Sequence, residues 1–486
     1  MNEIIANKLI EIVEQARKVA SKISDPSKQE EILKDVIERH FCIYIRIKNF
    51  EKARKMANEI KDSYKRFLAF LCIAKNTKDI KDIEKAIKAA NEVEKLYFRV
   101  GAFINIAKFT NDVNYFEKAR EIANKIEDLY YQADAFLWIA KITKDINDIE
   151  KAWEIIKRID KEEPKIVFLR EEIMDVCIES KNFEIARKIA NEIEDTYSKA
   201  YELARIASYT KDIKDIKKAL EVASKIKGLY EQASVLKNII LTYLDIENFE
   251  KAREIANKIE DLYYQAETFV EIAKNTKDIN DIEKAREIAS KIEGPSYLYK
   301  QAKAFVEIAK NTKDINDIKK ARKMASKIRD PYEQAKAFTY IAEVTKDIKD
   351  IEKAWKATYR IRDGSSREDV REKIIGICIG NKNFEEARKM ASKRKDSILK
   401  TYAFLRIAEE TKDVKDIEKA IKAANKIEKL YYQAKAFTDI AKFTNDISYI
   451  EKAKEIASKI EDPYDQAEAF VNILRIFLVK GIYEYL

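Results

Sequence analysis

An alanine returns along this chain at a nearly fixed interval, and that interval limits the fold more than any other feature. It falls at Ala16, Ala53, Ala86, Ala119, Ala152, Ala186, Ala219, Ala252, Ala285, Ala321, Ala354, Ala387, Ala420 and Ala453. From Ala53 onward the step is 33 residues, apart from one of 34 and one of 36. The longest of these holds an insertion around Gly294, Pro295 and Ser296. Such a period marks a repeat architecture, in which one supersecondary unit is stacked many times. It overrides the roughly three domains that a length of 486 residues would otherwise suggest.

The unit ending at Ile292 shows what is repeated. Ala266, Phe269, Val270, Ile272 and Ala273 fall at three- and four-residue spacing, the apolar stripe of one helix. Thr276, Lys277 and Asp278 close that helix. Asp281 stands where the N-cap of the next is expected, with Glu283 in its first turn. Ile282, Ala285, Ile288, Ala289 and Ile292 form a second stripe, and Glu287 and Lys291 face each other i,i+4 outside it. Each unit therefore reads as a helical hairpin that can bury its stripes only against its neighbours. Ala273 with Ala285 and Ala289 lets two helices approach closely. Tyr64, Tyr97, Tyr130, Tyr197, Tyr230, Tyr263, Tyr332, Tyr431 and Tyr464 lie eleven residues after the landmark. They read as wedges between units, with their hydroxyls kept wet.

Only seven glycines and five prolines occur, which favours long helices and short turns. Too few residues precede Ala16 for a full hairpin, and the chain stops soon after another first-helix stripe (Ala467, Phe470, Ile473, Leu474). The expected fold is all-α: a right-handed α-solenoid of about thirteen stacked antiparallel hairpins plus a single capping helix at each end, 28 helices in all. It is read as one elongated body over residues 1–486, with flexible joints near 161–164, 294–297 and 364–366. Residues 79–132 resemble residues 413–466, and Trp153 and Trp355 hold equivalent places before irregular linkers. Blocks of several units have been duplicated.

The phrases KNFEKA (48–53), KNFEIA (181–186) and KNFEEA (382–387) resemble the turn into the second helix of the tetratricopeptide-repeat family. Phe269, Ile272 and Ala273 match the aromatic, leucine and small-residue positions of that family's first helix. The resemblance covers nearly the whole chain. Departures are Ala289 where the family prefers a large aromatic, Ile292 where it prefers alanine, and a step one residue short. The resemblance implies first helices lining a concave face that receives a protein or peptide.

Composition narrows the function further. Lys+Arg 95 against Asp+Glu 86 is a small excess on a heavily charged chain, and the signs are interspersed. With one histidine (His40) and four scattered cysteines (Cys42, Cys72, Cys177, Cys378), neither a Cys/His zinc site nor a disulfide framework is expected. No phosphate-binding glycine loop is present, so no cofactor and no enzyme activity are expected. The first 23 residues carry acids among their apolar residues, unlike a signal peptide, and no run approaches the ~18 apolar residues of a spanning helix. The chain reads as cytoplasmic and non-membrane. Its Lys, Glu and Ile bias is one associated with very hot environments.

One constellation repeats outside the apolar stripes: T[KN]D, from Thr77–Asp79 to Thr444–Asp446. Structurally, threonine ends the first helix and aspartate satisfies backbone N–H groups at the turn. Functionally, the lysines around it read as a ladder on the concave face: Lys75, Lys108, Lys141, Lys274, Lys310 and Lys442 on the helix, continued by Lys78, Lys144, Lys211, Lys277, Lys313, Lys346 and Lys412 at the turn. Such a ladder suits an acidic peptide or protein partner. An RNA- or DNA-binding solenoid is the alternative, opposed by Asp79, Asp145, Asp278, Asp314 and Asp347 beside those lysines. A regulatory subunit of an enzyme complex is a third reading.

Overall fold

The structure is a computed structural model that describes residues 3–159 and 165–477. Among these residues every regular element is helical, with 28 α-helices and one short 3-10 turn. Helix α1 (Glu3–Ala20) comes first and α28 (Pro463–Phe477) last. Between them lie thirteen hairpins. The first four are α2 (Pro26–Arg46) with α3 (Phe50–Glu59), α4 (Ser63–Thr77) with α5 (Ile80–Asn91), α6 (Leu96–Thr110) with α7 (Asn114–Ala123), and α8 (Leu129–Thr143) with α9 (Ile146–Ile156). The next four are α10 (Ile166–Glu179) with α11 (Phe183–Glu192), α12 (Thr196–Thr210) with α13 (Ile213–Ala223), α14 (Leu229–Asp245) with α15 (Phe249–Ala256), and α16 (Leu262–Thr276) with α17 (Ile279–Ser290). The last five are α18 (Leu298–Thr312) with α19 (Ile315–Lys327), α20 (Pro331–Thr345) with α21 (Ile348–Thr358), α22 (Gly364–Gly380) with α23 (Phe384–Ser392), α24 (Ser397–Thr411) with α25 (Val414–Ala424), and α26 (Leu430–Thr444) with α27 (Ser448–Ala457).

The fold is an α-solenoid, as the period requires. Where the sequence suggests one body, the helices cluster into two units: residues 1–170 with 391–486, and residues 171–390. Within each unit, first helices of successive hairpins touch directly, as α4 does α6 and α16 does α18. A second helix instead meets the first helix of the next hairpin, as α5 meets α6. The landmark alanines and the paired Ala273, Ala285 and Ala289 are buried at these close helix contacts.

Each of the thirteen hairpins turns through one non-glycine residue in the left-handed region, such as Lys78 (φ 59°) or Lys277 (φ 56°). Two closures occur. In the Thr-Lys-Asp turns the left-handed lysine's N–H reaches the carbonyl four residues back, as Lys277 does Ala273 at 2.8 Å. In the Asn-Phe-Glu turns the following asparagine reaches five back, as Asn49 does Tyr44 at 2.9 Å. These are the single-bond left-handed cap and the Schellman motif of helix ends.

The N-cap of α17 is Asp278, whose carboxylate accepts from Asn280 N–H at 3.0 Å, and not Asp281 as the sequence suggests. Asp281 lies within the first helical turn, 3% exposed, because it serves a different bond. Arg253, on the second helix of the preceding hairpin, grips it with two N–H groups, both at 2.8 Å. Thr276 donates to it at 2.9 Å. The arrangement recurs as Arg54–Asp82, Arg120–Asp148, Arg187–Asp215, Arg286–Asp317 and Arg322–Asp350. At Asp215 the bonds from Arg187 outweigh burial and hold the carboxyl below its usual range. Where the aspartate is replaced, by Tyr115 and Tyr449, the residue 28 positions earlier is Ile87 or Ile421. Those tyrosines stack on Phe103 and Phe437.

Other repeated letters also have structural work. The lysine before the landmark lies over the first-helix ring, as Lys118 does over Phe103 (4.3 Å) and Lys353 over Phe338 (5.3 Å). The glutamine of the YxQA phrases donates to the last carbonyls of the preceding helix, as Gln265 does to Ala256 at 3.2 Å.

At the expected joints, residues 295–297 form the 3-10 turn after Gly294, whose φ of 108° suits glycine. Residues 364–366 open α22, capped by Asp363. Residues 161–164 lie outside the described residues. The two single helices do not stand alone: α1 packs along α28 as a second helix packs on its first, and α28 touches α26 and α2.

Replacing Arg253 with isoleucine strands the buried Asp281 and should cost about 1.5–3 kcal/mol. Adding Asp281→Tyr recreates the Ile87–Tyr115 pairing and should recover more than half of that loss in urea unfolding.

Candidate functional site

All thirteen candidate lysines sit at the C-terminal ends of first helices, where the helix dipole favours a cation. Lys78, Lys144, Lys211, Lys277, Lys313, Lys346 and Lys412 are the left-handed residues themselves. Their recurrence therefore has a backbone cause. Lys75, Lys108, Lys141, Lys274, Lys310 and Lys442 lie one residue-turn earlier, in the last helical turn.

The structure does not keep them as one free ladder. In the unit of residues 171–390, Lys274 bonds Glu271 at 2.9 Å, Lys310 bonds Glu307 at 2.8 Å and the Tyr340 hydroxyl at 3.0 Å, and Lys211 pairs with Asp245 at 3.3 Å. In the other unit, Lys412 lies 5.9 Å over the Phe443 ring. Burial, and then the Lys108 charge, depress Lys75 below the usual lysine range. The aspartates that seemed to oppose anions are engaged from behind: Asp79, Asp145, Asp278, Asp314 and Asp347 each accept from the clamp arginine.

Once cap, clamp and stacking roles are assigned, what varies between hairpins is the outward strip of the first helices. On α4, α6 and α8 it is poor in acids, as it is on α26 (LYYQAKAFTDIAKFT), whose one acid, Asp439, accepts from the Tyr402 hydroxyl at 2.8 Å. The sequences SYKRFLAFLCIAKNT and LYFRVGAFINIAKFT carry no acid, and LYYQADAFLWIAKIT carries only Asp134. That carboxylate accepts from the Tyr97 hydroxyl at 2.6 Å. Arg66 and Arg99 are turned to loop carbonyls at Ile60 and Val93, and Lys65 to Glu38. Lys75, Lys108 and Lys141 stand in the last turns of these helices, followed by Lys78, which lies 5.3 Å over the Phe109 ring, and by Lys144.

An aromatic row lies at the other end. Tyr64 and Phe98 are 5.2 Å apart, Tyr97 and Tyr131 5.3 Å, and Tyr130 and Tyr131 5.4 Å. Phe98 is 39% and Tyr131 44% exposed. Trp138 joins the row 6.2 Å from Tyr97 and presses its six-membered ring on α6 at Gly101, where a Cβ would come within 2.4 Å of it. The tyrosines that the sequence reads as wedges thus divide. Tyr97 and Tyr431 do bond the next first helix, at Asp134 and Asn472, whereas Tyr230 is exposed and Tyr263 is buried.

The remaining reactive groups are structural. His40 is buried, stacks on Tyr44 and shares a 2.9 Å bond with its hydroxyl; burial depresses it to about 4. All four thiols are buried, which pushes each up to about 12. A cleft of about 320 Å³ beside α2 is floored by Leu33, Ile37 and Ile60, and one of about 890 Å³ follows the Gly294 insertion; neither is lined by histidine or cysteine. Among the described residues no group of three or more His, Cys, Asp or Glu side chains could hold a metal ion, and no helix is long and apolar enough to cross a membrane. Glu202, on α12, takes a place that is alanine in most hairpins; burial pushes it up to about 7 against the pull of Arg205.

No family model matches the chain, and no curated protein matches it. It is similar to three solved structures at low identity. Ton1535 from Thermococcus onnurineus NA1 is 16% identical, covering 72% of this chain and 99% of that one, with a TM-score of 0.26. Yeast Tom70 is 13% identical over 93% of this chain and 96% of its own, at 0.25. A signal-transduction ATPase with numerous domains from Pyrococcus horikoshii, whose sensor is a tetratricopeptide repeat, is 14% identical over 92% and 71%, at 0.23. Likeness at this level assigns neither a family nor a partner.

Two outcomes test this geometry. Gly101→Ala should cost about 1–3 kcal/mol by overpacking and should red-shift Trp138 fluorescence. Because the folded Glu202 is raised above its ordinary ~4.3, the native state holds a proton that the unfolded chain has lost between those values. Its contribution is full at low pH and is lost as pH rises through about 7, so Glu202→Gln should stabilise the protein at pH 8 more than at pH 5 in thermal melts.

Proposed function

We propose that this chain is a non-catalytic scaffold that binds an acidic protein segment across helices α4, α6 and α8. The observation that carries this is the acid-poor surface of those helices: exposed rings at one end, lysines in the last turns at the other, and a single acid already bonded to Tyr97. Phe98 and Lys108 are ten residues apart on α6, about 15 Å along a helix axis. A segment with an aromatic or apolar anchor followed by several carboxylates has both parts in the right order. The anchor displaces water from the rings, and the carboxylates meet the ammonium groups of the last helical turns.

The ring end also carries cations, with Lys95 5.9 Å over Phe98 and Lys165 5.6 Å over Tyr130, so single-stranded nucleic acid, whose platforms interleave cations with stacking rings, is the second reading. The tetratricopeptide-like form of the repeat agrees with a protein partner.

The test is a fluorescence anisotropy titration with two labelled probes: a peptide with aromatic residues at one end and a glutamate run at the other, and a single-stranded oligonucleotide of similar length. The peptide should bind, and Lys75→Glu with Lys108→Glu and Lys141→Glu should weaken it about tenfold or more at unchanged helicity. Unaltered peptide affinity in that variant, or tighter oligonucleotide binding that falls steeply with salt, would overturn the reading.

A further inference from the structure

Thirteen hairpins are closed by a turn of a few residues, but α28 and α1 form a hairpin with no turn between them. They lie in one unit, and they pack along each other as covalently linked pairs do. Helix α1 fills the second-helix position. It buries Leu9, Ile12, Val13 and its landmark Ala16 completely. The link to the preceding hairpin is also imitated. Lys454 follows the landmark Ala453, at the place where an arginine grips the next second helix elsewhere, and it bonds Glu11 of α1 at 3.2 Å. Lys8 of α1 returns a bond to Glu451 at 2.6 Å. Arg475 of α28 reaches Asp35 of α2 at 2.5 Å.

Helix α1 also packs on α2, and its Arg17 bonds Glu59 of α3 at 2.7 Å. Residues 21–25 connect it to α2, and Gln29 steadies that connection through the Ala20 and Ile23 carbonyls at 3.2 and 3.4 Å. Everything else that holds α1 in its groove is noncovalent and is offered identically by any other copy. Only the high local concentration supplied by residues 21–25 and the rest of the chain favours the copy's own α1. The two cross-end ion pairs are partly exposed, with side-chain exposures of 29% and 43% for Lys8 and Glu451, and 18% and 62% for Lys454 and Glu11. They are therefore open to screening by salt.

We propose that α1 is an exchangeable clasp: it leaves its own groove and enters the groove between α28 and α2 of a second copy of this chain, which returns its α1 in kind. The partner fitted by this surface is the chain itself, joined by reciprocal helix exchange. The groove takes α1 because its alanine landmark, its apolar stripe and its two flanking charges match.

Charge reversal isolates exchange from any other association. One variant carries Lys8→Glu and Lys454→Glu; the other carries Glu11→Lys and Glu451→Lys. Within either variant both cross-end pairs become like-charged. Between them both pairs become opposite: α1 of the first presents two acids to two lysines on α27 of the second, and the reverse holds for the other pair. Tagged first variant, incubated with untagged second variant at low salt, should retain at least ten times more of it than of an untagged copy of itself. The complex should have twice the 56.7 kDa chain mass. Equal retention of the two untagged variants, with both folded by circular dichroism, overturns the proposal. Should a variant unfold alone, tagged and untagged unmodified chains replace the pair: retention that rises with salt supports exchange, and none at any salt overturns it.

Discussion

A carboxylate with almost no exposure, set between two helical hairpins, must be paired or it unfolds its surroundings. That requirement governs this molecule. Asp82, Asp350 and their equivalents are buried where one hairpin meets the next, and each is satisfied by an arginine from the preceding hairpin and a threonine from its own. Apolar stripes alone would let neighbouring units slide or rotate, since hydrophobic contact is non-directional. A bidentate guanidinium fixes both distance and plane. The clamp also explains why the turn is spelled so strictly: threonine, left-handed lysine, capping aspartate and buried aspartate form one connected network.

Assigning those roles changes how the lysines are read. Seven of the thirteen recur because a residue must stand in the left-handed region at the turn, and the others benefit from the helix dipole. Recurrence within the chain is thus a record of folding, and function has to be sought where the hairpins differ. They differ on the outward strip of the first helices. Along α16, α18 and α20 that strip mixes lysine and glutamate that bond each other. Along α4, α6 and α8 it is nearly free of acid and carries a continuous set of rings.

The period, the hairpins and the count of helices were legible because alanine and the apolar stripes repeat at fixed spacing, which depends only on local geometry. Asp281 was misplaced as a cap because capping and burial both favour aspartate at a helix start; only its distance to Arg253, through tertiary contact, separates them. The signal was nevertheless present, as arginine paired with aspartate 28 residues on, and as isoleucine paired with tyrosine at the same separation. The α28–α1 hairpin had no such trace, because its partners are at opposite ends of the chain and share no turn. The aromatic row was half legible: the tyrosine positions repeat, but the pressing of Trp138 onto Gly101 depends on the spacing of two helices.

The central claim is that the α4–α6–α8 surface selects its ligand by an aromatic anchor and an acidic run. The most direct measurement is selection of a random peptide library on the folded protein, followed by sequencing of the retained peptides. The account predicts enrichment of an aromatic residue followed by several acids, and loss of that enrichment when Lys108 is replaced by glutamate. Enrichment of basic or uncharged sequences, or an acidic consensus indifferent to Lys108, would contradict it.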